Sequence, residues 1–332
     1  MSVQPKVIQK DCANIVDMGS ASSQQRGACT TAAVGHRLSK RKLERIGLGL
    51  TSFCVALVTL VMFALIIMVF SQGLMTFLHD GVDFVTFLTS AHWIIDKGYF
   101  GAASLIVGSF SVTLLSTLFT LPIAIGSAIF VVEIQPSFGR KVFQPLVELL
   151  VGIPSVVYGL LGLSVVNSSM RMLFGERAGT GAGILSGAIV LAVMILPTVT
   201  TLTIDALAAV PLAYREGSYA LGCTRWQTVR HVVLRSAIPG IMTAVIMGMT
   251  RAFGETLAVQ FVIGGVERAM PTSLFSPAAT LTTALTSGFA NATTGSVPYH
   301  ALWSLGMLLL AMSLFFILLI HLIEKKGKVK HG

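Results

Sequence analysis

Two charged residues, Arg251 and Glu255, lie four positions apart in the otherwise apolar stretch MTRAFGETLAVQ, residues 249–260. The arginine side chain presents planar, paired N–H donors that match the oxygens of an oxyanion, and it keeps its charge. A neighbouring carboxylate can accept a hydrogen bond from a protonated oxyanion and can keep the arginine from holding an anion too long. In a continuous helix, however, residues four apart share a face, so the pair could instead neutralise itself and only lock the helices together. The residues alone leave both interpretations open.

Further polar residues near this pair, or in a neighbouring apolar segment that contains Pro154, are candidates for the same pathway. Thr250 and Thr256 flank the charged residues and offer hydroxyl donors. The weaker candidates around Pro154 are Glu148, Ser155 and Tyr158. Glu148 lies toward the cytoplasmic end of its segment, so it could instead pair with a basic loop residue.

The composition is that of an integral membrane protein. Of the 332 residues, 54% are hydrophobic and 11% charged, with a mean hydropathy of +0.82. Soluble domains usually carry about 25% charged residues. The net charge of +9 does not indicate a nucleic-acid partner, because basic residues of membrane proteins collect in cytoplasmic loops. The four cysteines form no CxxC pair and have no neighbouring His cluster, so neither a disulfide framework nor a metal site is predicted.

Six stretches are long and apolar enough to cross a bilayer, which takes about 20 residues of helix. The third is interrupted by Pro154, and the fifth contains Arg251 and Glu255 near its middle. The predicted fold is therefore an all-α membrane protein with six transmembrane helices. The predicted spans are 46–70, 102–132, 142–166, 182–204, 238–265 and 300–323.

The distribution of basic residues predicts the orientation. If the N-terminus is cytoplasmic, 18 of the 23 Lys and Arg residues lie on the cytoplasmic side and four outside. This asymmetry predicts that both termini are inside. Residues 1–45 are polar and basic without an apolar signal-peptide core, so they are predicted to form a disordered cytoplasmic tail. The membrane domain is placed at 46–325, followed by a second basic tail at 326–332.

The cytoplasmic segment between spans four and five has the signals of a helical hairpin, placed at about 205–237. Pro211 suits the start of a short helix and Gly222 its left-handed end. Thr224 and Gln227 then form a T-x-x-Q capping box that begins a second helix. The segment could be a plain connection or a docking element.

This hairpin resembles the EAA loop of permease subunits of bacterial ABC importers, E-A-A-x3-G-x9-I-x-L-P. Glu216 and Gly222 match its Glu and Gly. In that family the loop docks into a groove on a separate ATPase subunit. The resemblance therefore implies such a dock here, with Tyr219, Leu221 and Trp226 as its apolar face. Val232 and Leu234 also match, whereas Gly217, Ser218 and Arg235 depart from the pattern.

A closer resemblance covers about 46–325. FLTSAHW, LVELLVGIPSVVYGLLGL, RAFGETLAVQFVIGG and SPAATLTT occur in the order found in the C-type permease subunits (the PstC family) of phosphate-specific ABC importers. The resemblance implies phosphate as substrate and the bacterial cytoplasmic (inner) membrane as location. It also implies three partners: a second, A-type permease, two copies of an ATPase, and a periplasmic phosphate-binding protein that docks on loops 71–101 and 266–299. The alternatives are a permease for sulfate or molybdate, and a passive anion channel with Arg251 as its filter.

Motifs that would indicate catalysis are absent from the sequence. There is no G-x-x-x-x-G-K-[ST] phosphate-binding loop, so ATP and Mg²⁺ are expected to be used by the partner ATPase, with no cofactor bound directly. There is also no G-x-S-x-G and no H-E-x-x-H. We therefore expect a transport subunit and no enzyme.

Overall fold

A computed structural model describes residues 23–94, 98–267 and 269–328, and the described chain is almost entirely helical. It divides into an N-terminal unit that ends at Met68 and a larger unit that begins at Val69. Two short strands, β1 (Trp93–Ile94) and β2 (Tyr99–Phe100), pair antiparallel. The α-helices are α1 (Ser23–Leu78), α2 (Phe84–Thr89), α3 (Ala103–Ile129), α4 (Pro136–Phe138), α5 (Gln144–Val151), α6 (Ser155–Leu161), α7 (Asn167–Phe174), α8 (Ile184–Ala208), α9 (Leu212–Ala220), α10 (Arg225–Thr228), α11 (Leu234–Phe253), α12 (Leu257–Val262), α13 (Leu281–Asn291) and α14 (Val297–Lys328).

Six helical segments of the described residues are long and apolar enough to cross a membrane, which confirms the predicted number. Several of these spans contain an α-helix that continues into a π-helical turn. Examples are Phe130–Ile134 after α3 and Gly162–Val166 after α6. The spans are Ile46–Leu78, Ala103–Ile134, Ser155–Ala178, Ile184–Ala208, Arg225–Phe253 and Val297–Leu322.

The third and fifth spans differ from their predicted bounds. The third begins at Ser155 and not at residue 142, because Gly152 ends α5 and Pro154, which has no N–H, stands before α6. The fifth begins earlier, at Arg225, and ends at Phe253. The chain then leaves the helix at Gly254 and resumes helical structure only at Leu257.

The N-terminal helix α1 begins at Ser23, inside the segment predicted as a disordered tail. Residues 23–45 contain no proline and many good helix formers, and they run directly into an uncharged apolar span. Helix propagation from that span accounts for the difference. Residues 1–22 lie outside the described part of the chain, and so do 329–332 of the predicted C-terminal tail; the helical residues 326–328 belong to α14.

The segment between spans one and two folds into a small, well-packed element. Asp83 caps α2 by accepting a hydrogen bond from the Thr86 backbone N–H at 3.0 Å. Phe87 and Trp93 are fully buried and meet edge to face. An edge-to-face aromatic pair of this kind contributes about 0.5–1.5 kcal/mol beyond the stability gained from burying the rings. The loop is therefore held as a defined surface on the larger unit.

Asp80, just after span one, connects this segment to the start of span six. Its carboxylate lies 2.8 Å from His300 Nδ1 and 3.3 Å from His79 Nδ1. Burial raises the pKa of Asp80, but the hydrogen bonds and charges of His300 and His79 outweigh burial and leave the pKa below its ordinary value. The ionised carboxylate is thus the form that this contact stabilises.

The centre of the larger unit is the packing of α3 along α8. Buried hydroxyls occupy much of α3, and Thr120 Oγ1 donates to the carbonyl of Ala192 on α8 at 3.1 Å. At the other end of α3, Gly108 lies against the backbone of Ala279, so closely that a Cβ at Gly108 would overlap the Ala279 carbonyl oxygen. A glycine is therefore required where the chain before α13 crosses α3.

We predict that Gly108→Ala destabilises the protein, because neither backbone can move aside. Overpacking of this kind costs about 1–3 kcal/mol. Gly126→Ala on the same helix is the matched control, since a Cβ there meets nothing within 4 Å. The measurement is the melting temperature and monodisperse yield of the purified protein. Equal melting temperatures for the two variants would contradict this close approach.

Candidate functional site

Arg251 lies in the last turn of α11, half-buried, with its side chain directed to span four. Its Nη1 donates to Thr198 Oγ1 on α8 at 2.6 Å. Thr198 is the hydrogen-bond partner of this guanidinium among the described residues. Because a guanidinium has five N–H donors, Arg251 retains donors for a further partner.

Glu255 does not share a helical face with Arg251. It lies in the non-helical stretch after Gly254, where Thr282 Oγ1 donates to its backbone carbonyl at 3.0 Å. Its carboxylate accepts one long hydrogen bond, 3.5 Å from the Ala258 N–H. Arg251 and Glu255, both in the described part of the chain, form no ion pair within 4.0 Å. The predicted helical pairing is therefore wrong, because Gly254 ends the helix between the two residues.

Glu255 is one of the residues that line a small cavity. Its polar lining comes from three different elements, so the cavity lies where α3, the fifth-span break and the start of α13 meet. Hydroxyls dominate that polar lining. The hydroxyl-bearing residues at its wall are Ser109, Thr113, Thr280 and Thr282.

The two threonines predicted beside the pair have different surroundings. Thr250 Oγ1 donates to the Ile246 carbonyl at 2.9 Å, within its own helix, which leaves its oxygen as an acceptor. Thr256 precedes α12 without a side-chain capping bond. Both are half-buried. Thr198, which the sequence analysis did not single out, is the hydroxyl that contacts Arg251.

The candidates around Pro154 are not brought into hydrogen-bond contact with the charged pair. Glu148, exposed on α5, accepts from Gln144 Nε2 at 3.2 Å. Tyr158 is buried, and its hydroxyl donates to the Leu150 carbonyl at 2.9 Å, across the break. Ser155 begins α6. Tyr158 thus joins α5 to α6, and the partner of Glu148 among the described side chains is a neighbouring amide.

The hairpin between spans four and five has the predicted turn. Its first arm, α9, is followed by Gly222 at φ +79°, a left-handed conformation that glycine adopts freely. The capping box is confirmed: Gln227 Oε1 accepts from the Thr224 N–H at 2.8 Å and Thr224 Oγ1 from the Gln227 N–H at 3.4 Å. The second arm is not a short helix, because α10 continues through the π-helical turn Val229–Val233 into α11.

The tip of the hairpin carries apolar side chains into solvent. Leu221 is 86% exposed and Trp226 61% exposed, and Tyr219 and Glu216 are exposed as well. Apolar side chains clustered on one exposed surface mark an interaction site. Leu212 and Tyr214 on α9 are exposed as well. The sequence analysis did not single them out, although apolar side chains in this polar segment could have indicated them.

The base of the hairpin holds a buried ion pair that the sequence analysis missed. Arg215 on α9 contacts Glu133 Oε1 through Nε at 3.0 Å and Nη2 at 2.9 Å. The same guanidinium donates to the backbone carbonyls of Leu207 and Val210. Glu133, an isolated acidic residue at the end of an apolar span, could have indicated this pair in the sequence. Its partner Arg215, however, is 82 residues away.

Six helical segments long and apolar enough to cross a membrane, with a structured hairpin between the fourth and the fifth, are typical of a membrane permease. Residues 120–328 match the family model of the binding-protein-dependent transport system inner membrane component, and the chain belongs to this family. Its relatives include the probable ABC transporter permease protein YqgH of Bacillus subtilis, 47% identical over 87% of this chain and 94% of the relative. The phosphate transport system permease protein PstC of Mesorhizobium japonicum is 38% identical over 71% of this chain and 76% of its own.

Among solved structures, the inward-facing MetNI methionine ABC transporter aligns with a TM-score of 0.52 at 18% identity, over 68% of this chain and 96% of that chain. This similarity supports the permease fold. The protein is therefore a multi-pass component of the inner membrane and a permease subunit of a binding-protein-dependent importer. Membership of this family implies partnership with an ATPase and a substrate-binding protein. The orientation of the termini stays a prediction.

We predict that side chains at Gly222 disturb the hairpin through backbone strain alone, since a Cβ there meets nothing within 4 Å. Gly222→Ala should cost about 1–2 kcal/mol in the left-handed turn, and the β-branched Gly222→Val more. Gly217→Ala, at an equally open position inside α9, is the matched control. The measurement is ATP hydrolysis stimulated by loaded binding protein in the reconstituted importer. We expect normal stimulation with Gly217→Ala and a graded loss with Ala and then Val at Gly222. Normal stimulation with Gly222→Val would rule out this role for the turn.

Proposed function

We propose that the protein is the C-type membrane subunit of an ATP-driven phosphate importer and forms half of its translocation pathway. Phosphate is supported by the PstC relatives, which are named phosphate transport system permease proteins. The structural observation that carries the proposal is the state of Arg251. It is a fixed cation, half-buried, with a single hydroxyl partner among the described residues and unused N–H donors.

The unpaired state of Arg251 suits a transient oxyanion contact. A charged arginine inside a membrane span is costly, up to roughly 2.5–3.5 kcal/mol at the centre of a span on insertion scales, and the Thr198 hydroxyl offsets the cost at Arg251 only in part because it carries no charge. A passing anion supplies the missing negative charge. The Thr198 contact meanwhile holds the planar guanidinium in one orientation, which favours paired hydrogen bonds to an oxyanion.

Glu255 gives the site its preference for a protonated anion. Its carboxylate has one long hydrogen bond and no cation within ion-pair distance among the described residues. A carboxylate can accept a hydrogen bond from a P–OH group, whereas fully ionised sulfate has no such donor. Its negative charge also weakens retention of the anion at Arg251, and a pathway must release what it binds.

The energy for transport comes from partners in this proposal. The exposed apolar tip of the hairpin, with Glu216 and Gly222, forms the dock for an ATPase subunit, two copies of which hydrolyse ATP with Mg²⁺. The chain itself binds no cofactor and is no enzyme. An A-type permease completes the pathway, and a periplasmic phosphate-binding protein docks on loops 71–101 and 266–299.

The substrate is tested by competition. We expect radiolabelled phosphate uptake by the reconstituted importer to be competed by arsenate, which has the same protonated tetrahedral form. Molybdate and sulfate in equal excess should leave uptake unchanged. Competition by molybdate or sulfate without competition by arsenate would assign the permease to another oxyanion. Uptake that persists without ATP would instead indicate a passive channel.

The role of Arg251 is tested by four variants at matched assembly. Arg251→Lys keeps the charge and loses the planar fork, so uptake should fall about tenfold or more, in line with about 1.5–3 kcal/mol for a hydrogen bond to a charged group. Arg235→Lys, exposed at the start of the same helix, is the control and should transport normally. The third variant, Arg251→Gln/Glu255→Gln, should stay as inactive as Arg251→Gln alone. Recovery of the double variant toward wild-type uptake would mean that the two charges only stabilise each other.

A further inference from the structure

The Glu133–Arg215 pair joins three elements at one point, and we call it the hairpin joint. Arg215 belongs to α9, the first arm of the hairpin. Glu133 lies in the π-helical turn that ends span two. Leu207 and Val210, whose carbonyls accept from the Arg215 guanidinium, lie at the end of span four. One side chain therefore fixes the hairpin to the cytoplasmic ends of two membrane spans.

The hairpin joint is stiff for electrostatic reasons. The side chains of Arg215 and Glu133 are 14% and 8% exposed, so water screens their attraction only weakly. Carbonyls at a helix C-terminus lack partners within the helix, and a cation there also meets the favourable end of the helix dipole. Around the joint lies an apolar cluster that includes Ile129, Leu207 and Val233. A planar guanidinium held by four contacts in such surroundings has little freedom to turn.

The hairpin beyond the joint is itself rigid. The Ser218 and Thr228 hydroxyls, both on buried residues, hydrogen-bond at 2.9 Å and join its two arms. Its apolar tip, including Leu221 and Trp226, points into solvent. The apolar tip and the base anchored by Arg215 thus belong to one hairpin, whose two arms are joined by a hydrogen bond.

We propose that the hairpin joint transmits ATPase-driven movement of the hairpin to spans two and four, with Arg215 and Glu133 as positioning residues that touch neither substrate nor ATPase. The inference rests on the proposed docking of an ATPase on the hairpin tip. Loss of the joint leaves the dock in place but lets the hairpin pivot at its base. ATP hydrolysis then continues while less of its work reaches the transport pathway.

The test uses the complete importer, with both permeases, the ATPase and the binding protein, in liposomes. Arg215→Lys keeps the positive charge but loses the planar guanidinium with its several N–H donors. Glu133→Gln keeps a hydrogen-bond acceptor but loses the negative charge. Arg225→Lys, an exposed arginine on the second arm, is the control. We expect the ATPase to copurify with all three variants. Phosphate taken up per ATP hydrolysed should fall at least about fivefold in the two joint variants, the lower end of usual coupling energies, and stay unchanged in the control.

A second measurement follows the joint directly, with spin labels at Gly217 on α9 and Ile134 beside Glu133, both exposed and outside the apolar tip. In the wild-type importer the distance between the labels should be narrowly distributed with and without ATP. Arg215→Lys should broaden it when ATP is bound. An unchanged distribution in Arg215→Lys, or uptake and hydrolysis that fall in constant ratio, would overturn the inference. Failure of the ATPase to copurify with the wild-type permease would instead overturn the proposed function, whatever the joint variants do.

Discussion

In the hydrocarbon of a membrane every backbone N–H and C=O needs a partner within the protein, and this requirement governs the arrangement of the chain. Helical hydrogen bonding is interrupted in or beside the spans at Gly152–Pro154 and again at Gly254–Thr256. Hydroxyls compensate at both places: Tyr158 donates to the Leu150 carbonyl and Thr282 to that of Glu255. Non-helical backbone persists at membrane depth only where it is buried in protein or lines a cavity. The fifth-span break satisfies this condition, since the cavity beside Glu255 lies next to it.

The same break decides what the two charges can do. A continuous helix would have placed Arg251 and Glu255 on one face, where they would largely cancel. The break turns the Glu255 backbone toward Thr282 and leaves Arg251 with Thr198. An arginine whose charge is not cancelled favours any anion that reaches it, and a nearby carboxylate keeps that binding weak. The helix break that Thr282 stabilises thus leaves the charges of Arg251 and Glu255 uncancelled by each other.

The elements that depend on a local pattern could be predicted from the sequence. Six apolar stretches, the T-x-x-Q box at Thr224 and a glycine suited to a left-handed turn at Gly222 are visible over a few residues, and each is present in the structure. What could not be predicted depends on distant partners. Hydrophobicity continues through Gly254, and the hydroxyl that stabilises the break is on Thr282, 27 residues later. From the sequence alone, Arg215 cannot be distinguished from an ordinary surface arginine, because its contact with Glu133 is visible only in the structure.

The hairpin and the candidate site lie at opposite ends of one continuous helical segment, Arg225–Phe253, which has 29 residues and so extends about 40 Å. The second arm of the hairpin begins this segment and Arg251 lies in its last turn. The first arm is tied through Arg215 to the end of span four, and span four also carries Thr198, the partner of Arg251. Spans four and five are therefore connected twice: through the hairpin, whose first arm the joint ties to the end of span four, and through the hydrogen bond from Arg251 to Thr198 in the middle of span four. The hairpin and the candidate site thus share one helical segment, which is modified along its length only by the π-helical turn Val229–Val233 and by Pro239.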